Sequence, residues 1–207
     1  TPAADSQARA SMVSASGNTL PPPFAHADPD CRIEFPRDEG SHPAFRIEWW
    51  YVTGWLRTSS NDPLGFQLTF FRVRTGLDDG NPSRFAMRQL LFGHAAVSDP
   101  RRGQLLQLEK SARAGFGLAE AAEAALDVHI DDWFMRGGDG SYQAFATGPQ
   151  LQLDLQLQTT QPPLLQGRQG FSQKVPDQRH ASHYYSLPQL QVSGSVLLDG
   201  RRFSTSA

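Results

Sequence analysis

A chain of 207 residues is long enough to bury the core of one substantial domain. Its formal net charge of -2, with arginines scattered along the sequence, excludes the concentrated basic footprint of a nucleic-acid surface, and no run approaches the roughly 18 apolar residues of a membrane-spanning helix. The single Cys31 has no cysteine partner for an intramolecular disulfide or a thiolate metal site.

Residues 1 to about 30 are rich in Ala, Ser and Pro, include Pro21-Pro22-Pro23, and read as an irregular or draped N-terminal segment. Ser6 to Val13 holds good helix formers without a convincing cap. The opening Thr1-Pro2-Ala3-Ala4-Asp5 resembles what remains after a leader has been removed, which points to a periplasmic or secreted protein, or it marks where an expressed piece begins. After a Gly/Pro/His turn region from Gly40 to Pro43 comes the most unusual stretch, Arg46-Ile47-Glu48-Trp49-Trp50-Tyr51-Val52-Thr53-Gly54-Trp55-Leu56. As a strand it would put Trp49, Tyr51 and Trp55 on one side and Glu48, Trp50 and Val52 on the other.

Leu64 to Arg74 sets Phe66, Leu68 and Phe70 against Gln67, Thr69 and Phe71, and Gly76 to Pro82 is a loop by composition, so a hairpin with a long tip is expected. Phe85 to Ser98 reads as a central strand. Gly117 to Ala125, dominated by Ala and Glu, is the one helix candidate, with a loop as the alternative. Leu126 to Asp131 and Tyr142 to Thr147 are short strands, and Gln150 to Gln158 alternates leucine with polar residues throughout. Tyr184 to Leu187 and Leu190 to Leu198 add two more. Many short strands without a βαβ rhythm predict an antiparallel barrel or sandwich spanning residues 31–207.

No nucleotide-binding glycine pattern, HExxH pair or nucleophile turn is present, so no cofactor, metal or triad is expected. The aromatic residues of the Trp-rich strand and its neighbour form either a packed core or the apolar wall of a ligand pocket. Glu48 beside two tryptophans would be pushed up by burial, unless Arg46 or Arg72 pairs with it and reverses the shift. His94 lies in an apolar strand and is either a satisfied core histidine or a pocket residue.

Phe35-Pro36-Arg37-Asp38-Glu39-Gly40-Ser41-His42-Pro43, followed by Glu48-Trp49-Trp50-Tyr51-Val52-Thr53-Gly54-Trp55-Leu56, resembles the signature of the AttH/CrtC family. That family includes carotenoid 1,2-hydratases (hydroxyneurosporene synthases) and many bacterial proteins predicted to be secreted. The resemblance continues in order through Gln67 to Arg72, Gly93 to Asp99, Leu165-Gln166-Gly167 with Gly170 and Lys174, Ser182 to Ser186 and Val192-Ser193-Gly194. It implies an all-β, lipocalin-like antiparallel barrel, closed or open, as one of two barrels with the ligand site in and between them. Glu39 departs from the His that the family commonly places in this Asp-x-Gly. The family's later Ala-Trp-x-Asp-x-Glu-Trp motif and second barrel are absent from these 207 residues, so the chain is expected to be an N-terminal domain.

The chemistry implied by the resemblance is protonation of a trisubstituted alkene, capture of the tertiary cation by water, and aromatic stabilisation of the charge. Glu48, Asp38 and Asp99 are the candidate acids. Trp49, Trp50, Tyr51, His94, Tyr184 and Tyr185 are the candidate ligand-binding residues. Since the strongest family candidate for the proton donor lies in the downstream motif, the first expectation is a domain that binds an isoprenoid, polyene or acyl chain in the bacterial envelope. The alternatives are half of a hydratase, isomerase or cyclase, and a structural domain docking a second barrel, a second copy or an envelope transporter component.

Overall fold

Apolar residues at every second position put one side of each segment out of water, and a sheet built that way must cover that side or curl around it. The computed structural model describes residues 24–77, 80–176 and 180–207. The helix formers of Ser6 to Val13 lie outside the described residues. From Phe24 the chain runs irregularly, with an isolated bridge between Ala25 and Phe45, to a single 3-10 turn at Arg37–Glu39.

Eleven antiparallel strands then form one sheet. They are β1 (Ile47–Thr58), β2 (Pro63–Arg74), β3 (Gln89–Asp99), β4 (Gln104–Arg113), β5 (Ala119–Ala121), β6 (Leu126–Ile130), β7 (Trp133–Gly138), β8 (Ser141–Thr147), β9 (Leu151–Gln158), β14 (Gln191–Leu198) and β15 (Arg201–Ser206). Between β9 and β14 run four short strands in two small pairs, β10 (Leu164–Leu165) with β13 (Tyr185–Ser186) and β11 (Phe171–Gln173) with β12 (Ala181–His183). The spatial order β4-β3-β2-β1-β15-β14-β9-β8-β7-β6-β5 curls into a nearly closed barrel with one unsealed seam.

The alternation read from the sequence decides which face turns inward. Val52 and Leu56 of β1, Phe66, Leu68 and Phe70 of β2, and Leu151, Leu153, Leu155 and Leu157 of β9 are all buried, while Tyr51 and Trp55 stay exposed. At the seam between the edge strands, side chains take over from backbone bonds. Lys110 of β4 reaches Asp131 and Asp132 in the β6–β7 turn, and its ammonium lies 5.5 Å from the centre of the Trp133 ring. That indole is fully buried and donates its N–H to the Thr147 carbonyl at 2.7 Å. Gly93 leaves room for it, because a Cβ there would come within 3.0 Å of the ring.

Three expectations change. Gly117 to Ala125 is not a helix: Ala119–Ala121 is strand β5, paired with β6, and the preceding turn uses left-handed backbone at Gly115, Phe116 and Gly117. Nine residues dominated by Ala and Glu are too few to nucleate a helix against such flanks. The central strand begins at Gln89 rather than Phe85, whose exposed ring stacks on Phe116 at 5.2 Å. Strands β4, β7 and β15 complete a sheet that the sequence pattern left short.

Candidate functional site

β1 pairs with β2 from Ile47 to Arg57 but meets β15 only at Arg57 and Thr58. Its other edge is therefore splayed away from the sheet over most of its length, and a cavity of about 1130 Å³ opens there. The cavity runs from the barrel interior, at Val52, Met135, Leu157 and Val192, past the edge of β1 to the outer face, where Trp49, Tyr51, Trp55 and Tyr184 line it. A strand whose two faces line one cavity explains why both halves of the Trp-rich motif count toward the same site.

At one end of the cavity sits a polar cluster built from the turn region and the first two strands. Glu48 and Arg72 are direct cross-strand partners, and the Arg72 Nε donates to Glu48 Oε2 at 2.8 Å. Arg72 is 0% exposed; its Nη2 donates to the backbone carbonyls of Phe45 at 2.9 Å and His42 at 3.1 Å, while its Nη1 is buried with no partner among the described residues. The Glu48 carboxylate also accepts the His42 backbone N–H, at 2.9 and 2.8 Å, and lies 2.7 Å from His42 Nδ1. On the other side of that ring, Asp38 Oδ1 stands 3.3 Å from Nε2. Burial works to raise the Glu48 carboxyl, but the bond to His42 and the charge of Arg72 outweigh it and hold it below its ordinary value. His42 is pushed the other way, chiefly by Glu48 and secondarily by Asp38, and so is biased toward imidazolium at the cavity wall. Asp38 is itself held low: burial opposes this, and Arg37, the Glu34 N–H and His42 prevail.

The 3-10 turn closes the barrel beside this cluster. Ser41 donates its N–H to the Ala122 carbonyl at 2.6 Å and its hydroxyl to Ala121 at 2.8 Å, while the Trp50 indole donates to the Glu39 carbonyl at 2.8 Å. Glu39 is only 4% exposed and accepts the Tyr142 hydroxyl on Oε1 at 2.5 Å; its Oε2 is buried with no partner among the described residues. Burial dominates here, reinforced by Asp139 and only partly offset by Tyr142, and raises the Glu39 carboxyl above its ordinary value. Tyr185, which lines the cavity nearby, is raised by burial and by the proximity of Glu39 and Asp38. Two carboxyl groups one residue apart thus have opposite character, one held as an anion and the other favouring its neutral form.

Of the candidate acids, Glu48 and Asp38 line the cavity, whereas Asp99 lies away from it at the end of β3, bonded to Arg101. Of the candidate ligand-binding residues, Trp49, Trp50, Tyr51, Tyr184 and Tyr185 line the cavity. The hydroxyls of Tyr51 and Tyr184 are 2.5 Å apart, and that bond is the main reason Tyr51 is pushed up to about 12. His94 is not at the site: it is exposed on the outer face of β3, with its ring edge-on to Phe71 at 5.6 Å. His42, Glu39 and Tyr142 were not singled out as site residues. His42 and Glu39 stand inside the Asp38-Glu39-Gly40-Ser41-His42 motif, which could have marked them, but nothing adjacent to Tyr142 in sequence does.

A family model described as AttH-like matches residues 26–206. Among solved structures, the crystal structure of a Nitrosomonas europaea protein named after AttH is similar with a TM-score of 0.80 at 45% identity, covering 88% of this chain and 55% of that one. Kievitone hydratase from Nectria haematococca is similar with a TM-score of 0.59 at 11% identity, covering 88% of this chain and 50% of that one, a likeness of fold alone. No curated protein matches the chain. It spans about half the length of the solved structures it matches. With the Glu48-Trp49-Trp50-Tyr51 strand, the lipocalin-like barrel and a family match over nearly all of its described length, the chain belongs to the AttH-like family.

Proposed function

We propose that this barrel binds an elongated, largely apolar molecule, such as an isoprenoid, polyene or acyl chain, with a polar end near His42. The observation that carries the reading is the cavity itself. At about 1130 Å³ it exceeds the roughly 300–1,000 Å³ typical of small-molecule sites, and its aromatic and aliphatic walls converge on one charged cluster. The rings supply contact area, and the Asp38-His42-Glu48 chain supplies a hydrogen-bonding terminus of fixed geometry. Organic extraction and mass spectrometry of the purified protein should recover a bound lipophile, and the protein should bind the fluorescent polyene parinaric acid. Val192→Trp, which projects a larger ring into the cavity, is expected to weaken parinaric acid binding at least about tenfold with the fold intact. Empty extracts together with unchanged probe binding in the variant would sink the reading.

A second reading is favoured by one observation: a histidine biased toward imidazolium lies on a wall that also carries Trp49 and Trp50. An acid beside aromatic faces suits protonation of an alkene and stabilisation of the resulting cation, the first half of a hydration. In this reading the barrel supplies part of a hydratase site that a longer chain completes. The check is hydration of an acyclic isoprenoid alkene. Turnover by these 207 residues alone, abolished by both His42→Gln and Glu48→Gln, would replace the binding reading with catalysis.

A further inference from the structure

Among the described residues, half of the backbone hydrogen-bonding capacity of β1 has no partner along most of its length. The Arg74 N–H donates to the Arg46 carbonyl at 2.8 Å, the Thr58 N–H to the Asp62 carbonyl at 3.0 Å and the Ser59 N–H to the Ser204 carbonyl at 3.1 Å. In an antiparallel ladder these bonds fix the parity: even-numbered residues of β1 bond to β2, and odd-numbered ones point to the opposite edge. Of the odd residues, Arg57 has β15 as its partner. Among the described residues, no hydrogen bond reaches the backbone of Trp49, Tyr51, Thr53 or Trp55 from that side.

Unpaired edges are normally blunted by lysine, proline, a bulge or a covering segment. From Ile47 to Leu56 there is no lysine or proline, the only charge is the inward-facing Glu48, pairing with β2 is unbroken, and Tyr184 from the β9–β14 connection meets the Tyr51 side chain without bonding to the edge backbone. The outer face of this edge is instead aromatic, with Tyr51 44% and Trp55 66% exposed. The sequence along the edge is also close to self-complementary about Val52. In an antiparallel pair of two such strands centred there, Trp49 faces Trp55, Tyr51 faces Thr53 and Trp50 faces Gly54. Aromatic–aromatic pairs, and an aromatic opposite a glycine, are favourable cross-strand combinations. No like charges meet.

We propose that β1 pairs antiparallel with β1 of a second copy about a two-fold axis at Val52, joining two barrels through a continuous sheet and walling the lateral opening of each cavity. An edge whose unused groups alternate donor and acceptor at a two-residue spacing fits an extended backbone, and this edge supplies its own match. The pairing depends on the free edge, whatever the cavity holds.

Thr53 provides the decisive variant, since its N–H is not part of the β2 ladder and proline is tolerated at such an edge position. Thr53→Pro removes one outward donor and the side-chain bond to the Phe66 carbonyl at 3.1 Å. Thr53→Lys is a second block that leaves the backbone intact. Light scattering over roughly 1–300 μM, the range of a weak to moderate dimer, should give twice the 22.8 kDa monomer mass for the wild type and the monomer mass for both variants, with unchanged near-UV circular dichroism. Register is read by crosslinking in a Cys31→Ser background. Val52→Cys, a non-hydrogen-bonded pair on the axis with Cα atoms about 4.5 Å apart, should form a disulfide dimer under oxidised glutathione at least about fivefold faster than Trp50→Cys. A wild type that stays monomeric throughout, a dimer that survives both Thr53 variants, or equal crosslinking at the two positions would overturn the proposal.

Discussion

Arg72→Met is expected to destabilise the barrel by about 3–5 kcal/mol, the cost of breaking a buried ion pair by removing one partner. The side chain is fully buried, and its guanidinium serves the Glu48 carboxylate and the carbonyls of His42 and Phe45 together. Methionine fills much of the volume but leaves those acceptors without their donor. Glu48 then keeps only the His42 contacts, in a site where burial already opposes its charge. For a domain of this size the loss corresponds to a fall in the thermal midpoint of about 6–20 °C. Arg72→Lys should recover less than half of it, because an ammonium cannot reproduce the planar fork that spans a carboxylate and two carbonyls. Urea denaturation of the three proteins tests this, and a loss below about 1 kcal/mol for Arg72→Met would mean that the cluster is stabilised mainly by the turn backbone. The same variant separates architecture from binding. Arg72 does not line the cavity, so any change it brings to probe affinity must travel through Glu48 and His42.

The parts of the fold that follow from period two alone were legible in the sequence. Leu151 to Leu157 declare a half-buried strand, and the division of Trp49, Tyr51 and Trp55 from Trp50 and Val52 needed only alternation. Alternation does not say what covers each side. His94 sits among apolar neighbours, yet its parity within β3 turns it outward while Gly93 and Ala95 face in. Nor does it reveal that the β1 edge is open, because that depends on β15 reaching β1 over only two residues, some 150 positions away in sequence. Trp133, which fills the seam, follows two aspartates in a turn and begins a strand ending in two glycines, so its burial depends on contacts distant in sequence: Gly93 of β3, Lys110 of β4 and the Thr147 carbonyl. Glu39 is the sharpest case. In sequence it is the second acid of Asp38-Glu39; its buried character arises from Tyr142, 103 residues away, and from the indole of Trp50.

That pairing makes Glu39→Gln the most informative change in the pH dependence of stability. Glu39 is raised above its ordinary 4.5 in the folded state, so its stabilising contribution is complete below pH 4.5 and is lost as pH rises through the folded value. Glu48 and Asp38 are shifted down, and their contributions are present above about 4.5 and 3.8 and are lost as pH falls through their lower folded values. His42 is raised above 6.5, so its contribution is full below that point and disappears on the alkaline side. The wild type should therefore be most stable on the mildly acidic side of neutrality, with Glu39 and His42 both eroding stability as pH increases. Glutamine keeps an acceptor for the Tyr142 hydroxyl but cannot ionise. Below pH 4.5 the variant should be slightly less stable than the wild type, since its amide N–H₂ replaces an oxygen that has no partner among the described residues. Above that point the difference should reverse and grow to about 1–3 kcal/mol in favour of glutamine once the native carboxyl is ionised, the cost of a poorly satisfied buried polar group. Tyr142→Phe should act oppositely, raising the Glu39 carboxyl further by removing its hydrogen bond and steepening the alkaline loss. Urea midpoints measured from pH 4 to 9 give the three curves directly. Parallel curves for wild type and Glu39→Gln would show that Glu39 titrates alike in the folded and unfolded chains, and the turn would then close the barrel without a neutral acid at its centre.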